Sequence, residues 1–343
     1  MNKIVLGCLF GDEGKGLVTR WLARQEKDPW IIRFSGGPQS SHTVISRETG
    51  ITHICSSFGS GVLEGIPTLY LGGYFDVCSF VEECKVLESK GINIPKIHLG
   101  SGVKLMYPHD VYLGQRGDRE KRDGTCGKGI YQAFIRPDKG RFDLGTYWRE
   151  KGLSEEEIRW LWKIFDEALE TPYSKNVLVN GLPTTKVRIV EGTQGLLLDK
   201  DFGFFPNVTP SSTGPHGVSV SGILGEGDEI WLVLRGYLTR HGVGYNPKNP
   251  LLIQNPYETN HYNEWQGEFK TGEMETDLIG RAIDRHSLDV WQKKYKLKVN
   301  VVVTCLDIHT PDIEGIKKAF TDKLDVSEFY GSWGPYSDEI RSL

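Results

Sequence analysis

The feature that most constrains this fold is a glycine-rich loop, Gly11–Gly16, which lies between an apolar β-type run and a helical pattern. Converging backbone N–H groups, glycines that allow close approach and a following helix N-terminus together bind phosphate. Lys15 adds a positive charge to this loop, and Asp12 adds a carboxylate. The spacing is shorter than in GxxxxGK[ST], and no Ser or Thr follows Lys15. The loop therefore predicts a phosphate site of another kind.

Apolar runs typical of strands alternate with helical patterns along the chain. The runs occur at 3–10, 30–34, 68–71, 187–190, 230–234 and 299–304, and the helical patterns near 79–89, 154–169 and 276–295. This alternation predicts an α/β fold with a largely parallel central sheet, and we expect one domain over 1–343. Two polar segments, 104–150 and 240–275, are predicted to be long functional loops in that domain.

Composition excludes several classes of protein. The net charge of -4 lacks the basic excess of a nucleic-acid-binding chain, so no nucleic acid partner is expected. No apolar run approaches the roughly 20 residues of a membrane span, so no membrane partner is expected. The six cysteines form no CxxC pair, which favours reduced thiols and a cytoplasmic protein over disulfides or a zinc site.

Further polar, glycine-flanked segments follow the predicted strands. In chain order they are GGPQSSHT at 36–43, GTCGKG at 124–129, EGTQG at 191–195, FPNVTPS at 205–211, TRHGVG at 239–244, TCLD at 304–307 and GSWGP at 331–335. Each alone is weakly informative, because such segments are common in α/β folds. Together with GDEGKG at 11–16, and in this order, they resemble the adenylosuccinate synthetase family over nearly the whole chain. The family's segments are GDEGKG, GGxNAGHT, GTTGRG, EGAQG, YPYVTSS, TRVGAGP, TKLD and STGP.

The resemblance implies a fold related to P-loop NTPases and a carbon–nitrogen ligase. Such an enzyme uses a nucleoside triphosphate (NTP) and Mg²⁺ to phosphorylate the 6-oxygen of a purine nucleotide, and L-aspartate then replaces the phosphate at C6. Asp12 would act as base on purine N1 and ligate the metal with the backbone of Ser41. His42 would donate to the γ-phosphate or the 6-oxygen, and Lys15 would neutralise phosphate charge.

The resemblance also assigns the binding residues. For the NTP and its phosphates they are Gly11, Glu13, Gly14, Lys15, Gly16, His42, Thr43, Asp307 and Gly334; for the purine nucleotide, Asp12, Gln39, Thr125, Cys126, Arg141, Gln194 and Thr209; for aspartate, Lys270, Thr271 and Arg240. The family is dimeric and lends an arginine to the nucleotide phosphate of the partner. A homodimer is therefore expected, with Arg136 or Arg141 in that role.

Several departures from the family fall in binding positions. Gln39 replaces an Asn, the pair Ser40-Ser41 replaces Ala-Gly, Cys126 replaces a Thr, and Cys305 replaces the Lys that lies against guanine. The arginine run before Thr271 is missing, and Lys270 is the cation left just before it. Lysine does not reproduce the bidentate binding of a carboxylate by arginine.

These departures favour a compact phage branch of the family, which joins aspartate to dGMP on the way to 2-aminoadenine DNA. ATP or dATP would then serve as donor, and the protein would act in the cytoplasm of the host. The alternative is the ordinary reaction of IMP with GTP. It is favoured by Asp12, which some phage members replace with Ser.

Three further hypotheses come from other classes. A GTPase-like switch would keep the phosphate loop but would not need Asp12, His42 and Gln194 together. An inactive nucleotide-binding paralogue is favoured by the missing arginines. A generic P-loop kinase is disfavoured, because no Ser or Thr follows Lys15.

Overall fold

A large, mostly parallel sheet forms the centre of the molecule. The computed structural model describes residues 1–117, 125–179 and 187–343. Within these ranges, sixteen strands form: β1 (Asn2–Gly7), β2 (Trp30–Arg33), β3 (His42–Ile45), β4 (Thr52–Cys55), β5 (Thr68–Tyr70), β6 (Tyr74–Asp76), β7 (Ile97–Leu99), β8 (Lys104–Met106), β9 (Val177–Val179), β10 (Arg188–Glu191), β11 (Glu229–Arg235), β12 (Leu238–His241), β13 (Phe269–Gly272), β14 (Lys298–Thr304), β15 (Val326–Ser332) and β16 (Ile340–Ser342).

The central sheet has ten strands in the order β16-β15-β14-β11-β1-β10-β2-β5-β7-β9. Its neighbours are parallel except for β15 and β16 at one edge. Three two-stranded sheets stand apart from it: β3 with β4, β6 with β8, and β12 with β13. Strands β1 and β11 are buried along their whole length, as expected of central parallel strands covered on both faces. The parallel arrangement brings the carboxyl ends of β1, β10, β11 and β14 to one edge of the sheet.

Ten α-helices occur in the described residues: α1 (Lys15–Ala23), α2 (Val77–Ser89), α3 (Pro108–Arg116), α4 (Ile130–Ile135), α5 (Arg141–Glu150), α6 (Glu155–Leu169), α7 (Pro215–Val220), α8 (Thr276–His286), α9 (Leu288–Tyr295) and α10 (Ile313–Thr321). Short 3-10 turns occur at Val62–Glu64, Pro172–Asn176, Leu196–Leu198 and Ser337–Glu339. None of the described helices has both the length and the apolar character needed to cross a membrane.

The predicted α/β class and parallel sheet are confirmed; five of the six predicted strands end within one residue of those observed, whereas the run predicted over 3–10 ends three residues beyond β1. The prediction for 104–150 was wrong in part, because the segment carries α3, α4 and α5. These helices are only six to ten residues long, so their buried positions, such as Leu144 and Trp148, give too short a pattern to detect. The helix predicted over 276–295 is interrupted at Ser287, which has φ 49°.

The second predicted loop segment is largely irregular. Residues 242–268, between β12 and β13, contain no helix and two isolated bridges, of Pro250 with Gly272 and of Asn263 with Gly267. A hydrophobic cluster that includes Phe10, Leu196 and Leu278 supports this side of the sheet. The irregular segment therefore rests on a rigid base beside the carboxyl ends of the strands.

Candidate active site

The glycine-rich loop leaves β1 and enters α1, as the sequence predicts. Its conformation depends on the glycines, since Gly11 and Gly14 have φ of 88° and 89°. Beneath the loop, the Glu13 carboxylate accepts from the backbone N–H of Leu9 at 2.6 Å and pairs with Lys15 Nζ at 3.5 Å. Burial raises the pKa of Glu13, and Lys15 opposes that rise. Thr304, at the end of β14, donates to the carbonyl of Glu13 at 2.8 Å and fixes the loop against the sheet.

Two cavities meet at this loop. The first, the phosphate-loop cavity, has a volume of about 130 Å³. It lies over residues 12–17 and is closed by strand-end residues Thr304, Cys305 and Asp307, by Gly334, and by the irregular stretch 255–260. Of the residues predicted for the NTP, it is lined by Glu13, Gly14, Lys15, Gly16, His42, Thr43, Asp307 and Gly334.

The second, the amide cavity, has a volume of about 290 Å³. Five carboxamide side chains contribute to its wall: Gln39, Gln194, Asn207, Asn260 and Gln266. Of the residues predicted for the purine nucleotide, Asp12, Gln39, Thr125, Cys126, Gln194 and Thr209 line it. Gly124, the first residue of the GTCGKG segment, lies outside the described residues.

Five residues line both cavities and form a shared wall: Asp12, Lys15, Ser41, His42 and Asn260. A ligand in either cavity therefore reaches the same carboxylate, ammonium and imidazole. Within the described ranges, the Asp12 carboxylate makes no ion pair, although it lies close enough to the Arg240 and His241 side chains to affect their pKa values. The shared wall is the place where groups from two ligands can meet.

His42 is held by a buried carboxylate. Its Nδ1 lies 2.7 Å from Glu191 Oε1, and Glu191 Oε2 accepts from the backbone N–H of Ser60 at 3.1 Å. Because a carboxylate only accepts, Nδ1 carries the hydrogen and Nε2 is left for a ligand. Burial lowers the pKa of His42, with Glu191 opposing, so the imidazole is neutral near pH 7. Burial would raise the pKa of Glu191, but His42, Arg33 and Ser60 together hold it below its usual range.

The amide cavity contains an unusual group of buried polar atoms without hydrogen-bond partners. They are Gln39 Oε1, Ser40 Oγ, Gln194 Oε1 and Thr209 Oγ1. Buried polar atoms are normally paired, and each one left unpaired costs about 1–3 kcal/mol. Their concentration at one cavity indicates that a polar ligand completes them.

Arg240 adds an unpaired cation to the same cavity. Its side chain is 9% exposed, donates to the carbonyls of His241 and Val243, and lies over the Phe10 ring. No carboxylate within the described ranges forms an ion pair with it, and burial lowers its pKa to about 10. An uncompensated buried cation is costly, so this position favours an anionic ligand.

Four predicted residues do not line either cavity. Lys270 donates to Asn246 Oδ1 at 2.6 Å, and the Thr271 hydroxyl donates to the carbonyl of Leu251. Arg141 pairs with Asp166 at 2.7 Å and packs over the Trp162 ring of α6. Arg136 forms a buried ion pair with Asp110 at 2.9 Å. Lending Arg136 to a partner would require breaking that pair.

Three non-glycine residues of the cavities have left-handed backbones. They are Asp12, Gln194 and Cys305, with φ of 57°, 57° and 59°. Such conformations cost of order 1–3 kcal/mol each and cluster at functional sites. Each of the three follows the end of a central parallel strand, where the chain turns sharply over the edge of the sheet.

Several residues that line the two cavities, or support residues that do, had no predicted role. Glu191 lay in the recognised EGTQG segment, but its partner His42 is 149 positions away. Lys128, in the GTCGKG segment, lines the amide cavity without having been assigned a role. Arg235 and Glu258 form a salt bridge at 2.5 Å in the phosphate-loop cavity. Glu191 and Arg235 could have been recognised from the sequence, because each is a charged residue at the end of an apolar strand.

Comparison with known proteins gives consistent results. The adenylosuccinate synthetase family model matches residues 4–139 and 150–310. The chain is similar to the adenylosuccinate synthetase of Petrotoga mobilis, with 31% identity over 273 residues, 71% of this chain and 64% of that protein. It is also similar to that of Halothermothrix orenii, with 29% identity over 281 residues, covering 72% of this chain and 64% of the relative. The chain thus spans somewhat less than two thirds of these relatives.

Two solved structures share the fold. The succinoaminodeoxyadenylate synthetase of cyanophage S-2L, bound to dGMP and dATP, superposes with a TM-score of 0.69 at 16% identity, covering 99% of this chain and 95% of that one. The fully ligated adenylosuccinate synthetase of Plasmodium falciparum superposes with a TM-score of 0.68 at 17% identity, covering 99% of both.

The fold and the two cavities define an α/β protein in which the glycine-rich loop after the first strand lies between two polar cavities. Within that class, the chain belongs to the adenylosuccinate synthetase family, because the family model matches most of its length.

Proposed function

We propose that this protein is a ligase that joins L-aspartate to C6 of dGMP, with ATP or dATP as phosphoryl donor. The product is N6-succino-2-amino-2'-deoxyadenylate, formed through a 6-phosphoryl intermediate, with a nucleoside diphosphate and phosphate released. The observation that carries the proposal is the group of unpaired buried atoms in the amide cavity, across the shared wall from the phosphate loop. The acceptor nucleotide occupies the amide cavity, and the NTP occupies the phosphate-loop cavity.

The amide cavity supplies the acceptor's hydrogen bonds. Gln39 Oε1 and Gln194 Oε1 are unpaired hydrogen-bond acceptors. Guanine offers two donors along one edge, N1–H and the 2-amino group, whereas hypoxanthine offers only N1–H. A site with a polar atom left unpaired by the smaller base discriminates against it. The hydroxyls of Thr125 and Thr209 are suited to the 5'-phosphate.

Asp12 and His42 carry the proton transfers at the shared wall. The Asp12 carboxylate takes the N1 proton and so increases the negative charge on the 6-oxygen, which attacks the γ-phosphorus. His42 Nε2 faces the transferred group. The N1 proton stays on Asp12, and His42 takes a proton from solvent as phosphate charge accumulates beside it; Glu191 stabilises the resulting imidazolium. A protonated His42 then neutralises the leaving phosphate when the aspartate amine attacks C6.

The residues at the shared wall also fit Mg²⁺. The carboxylate of Asp12 and the backbone of Ser41 offer oxygen ligands, which this ion prefers, and Asp12 is not committed to an ion pair in the described ranges. Bound there, the ion would neutralise charge on the phosphates of the donor.

Aspartate requires positive charge for its carboxylates. Arg240 and Lys128 are the cations of the amide cavity that remain after Lys15 is assigned to phosphate. Arg240 is buried without a carboxylate partner and presents a planar donor group, so we assign it the principal contact. This replaces Lys270, which points to Asn246.

The donor base lies near Cys305 and Asp307. Burial raises the pKa of both side chains. The absence of a lysine at position 305 removes a contact that would favour guanine, which supports ATP or dATP. The cyanophage protein with the similar fold is bound to dGMP and dATP, which agrees with this choice.

We further infer a homodimer in the cytoplasm of a phage host. Arg141 is 55% exposed and paired only at the surface, so it remains available to a partner's nucleotide phosphate, whereas Arg136 is not. Sedimentation equilibrium tests whether the protein is a dimer. If Arg141→Ala binds the acceptor nucleotide more weakly while the protein keeps its dimeric mass, this would support the contact of Arg141 with the partner's nucleotide phosphate.

An activity panel tests the reaction. Purified protein is incubated with L-aspartate, Mg²⁺ and each of dGMP, GMP, dIMP and IMP, with ATP, dATP or GTP as donor. Mass spectrometry detects the succinylated nucleotide, and phosphate release gives the rate. We expect dGMP with ATP or dATP to give the highest kcat/KM. A clear preference for IMP with GTP would assign the ordinary reaction, and no turnover with any pair would leave an inactive paralogue.

The ordinary reaction of IMP with GTP is the second candidate. The relatives from Petrotoga mobilis and Halothermothrix orenii are named adenylosuccinate synthetases, and Asp12 matches the family's GDEGKG segment. The panel separates the two candidates directly, because they differ in both the acceptor and the donor.

A further inference from the structure

A compact turn occupies the segment where the arginine run is missing. Asn263 and Gly267 exchange backbone hydrogen bonds, with Gly267 N–H donating to the Asn263 carbonyl at 2.8 Å. The Asn263 side chain accepts from the N–H groups of Trp265 and Gln266 at 3.0 and 2.8 Å. The turn is therefore internally ordered and presents Trp265 in a defined direction.

Trp265 lies directly against Gly127 in the loop Thr125–Gly129. A methyl group added at Gly127 would come within 2.7 to 2.9 Å of three atoms of the indole ring. Gly127 also has φ 68°, so both its backbone and its surroundings require glycine. The loop is thus covered by an aromatic ring on one side.

Helix α3 supports the opposite end of the same loop. A methyl group at Gly129 would meet the backbone of Asp110 and Val111 at 2.6 Å. The carbonyl of Gly127 accepts from Gln115 Nε2 at 3.2 Å. The loop is therefore clamped between α3 and the indole of Trp265.

The clamped loop contributes Thr125, Cys126 and Lys128 to the amide cavity, and Gln266 from the turn lines the same cavity. We propose that Trp265 is a positioning residue that holds the loop Thr125–Gly129 in the conformation that binds the acceptor nucleotide. The turn at 263–267 thereby serves the acceptor nucleotide instead of the aspartate. This inference rests on the proposed placement of that nucleotide in the amide cavity.

Equilibrium binding of each nucleotide alone gives the first test. Calorimetry measures dGMP, and in separate titrations a non-hydrolysable ATP analogue, with wild type, Trp265→Ala and Trp265→Phe. We expect Trp265→Ala to weaken dGMP binding about tenfold, with the analogue within twofold, because the indole packs against Gly127 in the loop that lines the amide cavity. Trp265→Phe should recover most of the affinity. Equal losses for both nucleotides, or unchanged dGMP binding, would overturn the proposal.

Matched controls separate this effect from a general loss of stability. Glu264→Ala removes an exposed side chain from the same turn, and Trp160→Ala removes a half-exposed indole from α6. Both variants should bind dGMP like the wild type. The difference in tryptophan fluorescence between wild type and Trp265→Phe should also change when dGMP is added. It should stay the same when the ATP analogue is added.

A double-mutant cycle gives a second test that does not depend on one variant. Gly127→Ala places a methyl group against the indole and should weaken dGMP binding in the wild-type background. In a Trp265→Ala background the same change should cost less, because the ring is gone. Additive effects would contradict the clamp. If the activity panel finds no turnover, the proposed reaction is wrong. The calorimetric titrations with dGMP would still test whether Trp265 positions the loop Thr125–Gly129.

Discussion

The two cavities that meet at the phosphate loop differ in how far their polar groups are already paired. In the phosphate-loop cavity, Arg235 Nη1 pairs with Glu258, whose other oxygen accepts from the backbone N–H groups of Thr259 and Asn260, and Arg235 Nε is one buried atom left unpaired. In the amide cavity, four buried atoms, of Gln39, Ser40, Gln194 and Thr209, are unpaired, and no carboxylate of the described residues forms an ion pair with Arg240.

Unpaired buried groups discriminate among ligands, because a ligand that fails to pair them leaves their desolvation cost uncompensated. Groups that are already paired gain less from any particular ligand. We therefore expect the amide cavity to be strict toward its nucleotide and the phosphate-loop cavity to be tolerant toward its donor base. The shared wall serves both, so changes there should have the largest effects.

The largest effect is expected for Asp12→Ala. Loss of this carboxylate should reduce kcat by about 10²–10⁴-fold, the range typical of a general acid or base, while far-UV circular dichroism stays unchanged. Glu264→Ala, which removes an exposed side chain that lines neither cavity, is the control and should retain most activity. Near-normal turnover by Asp12→Ala would remove Asp12 from the mechanism.

The next effect concerns His42 and its support. His42→Asn should lower kcat by about 10²-fold with little change in either nucleotide KM, because its contact is made in the transition state. Glu191→Gln should lower kcat less, since the amide still accepts from Nδ1 but stabilises the imidazolium poorly. A rise in KM alone, in steady-state kinetics of His42→Asn, would return His42 to a positional role.

Arg240 and Lys270 are directly opposite each other on β12 and β13, which makes them a matched pair. Arg240→Gln should raise the KM for aspartate about tenfold or more, since a buried charge-assisted contact is lost. Lys270→Gln should leave it within about twofold, because Lys270 donates to Asn246 and lines neither cavity. The reverse order of effects in initial-rate measurements would restore Lys270 to the aspartate site.

The strictness of the amide cavity is tested at Gln39. Gln39→Leu keeps a side chain of similar size but removes the unpaired hydrogen-bond acceptor Gln39 Oε1. The kcat/KM for dGMP divided by that for IMP should therefore fall about tenfold. The loss should come mainly from dGMP, because IMP has no 2-amino group to donate there. An unchanged ratio in competition assays with both nucleotides would place the discrimination at another residue.

The smallest effect is expected in the phosphate-loop cavity. Cys305→Lys restores the family's residue, and we expect the preference between GTP and ATP to change by less than about fivefold. Lys at position 305 would have the same left-handed backbone as Cys305, so we expect the backbone strain of the variant to equal that of the wild type. A change of a hundredfold, measured with both donors at saturating dGMP, would show that this cavity is as strict as the other.

Six of the ten strands of the central sheet were predictable because they are apolar runs, as in β11 and β14, whereas β7, β9, β15 and β16 were not predicted. The phosphate loop was predictable because glycine spacing is a local signal. The partnership of His42 with Glu191 was not, since 149 residues separate them and only tertiary packing brings the two side chains together. Nor does the sequence distinguish the buried, ion-paired Arg136 from the exposed Arg141.

The left-handed backbones of Asp12, Gln194 and Cys305 have a consequence for the evolution of heat resistance in this chain. Glycine at any of these positions would relieve strain of order 1 kcal/mol, and so would raise the melting temperature. Each such gain would remove a side chain from a cavity wall. Selection for thermal tolerance alone would therefore erode catalysis at these three positions first, whereas compatible substitutions on the outer helices offer stability without that loss.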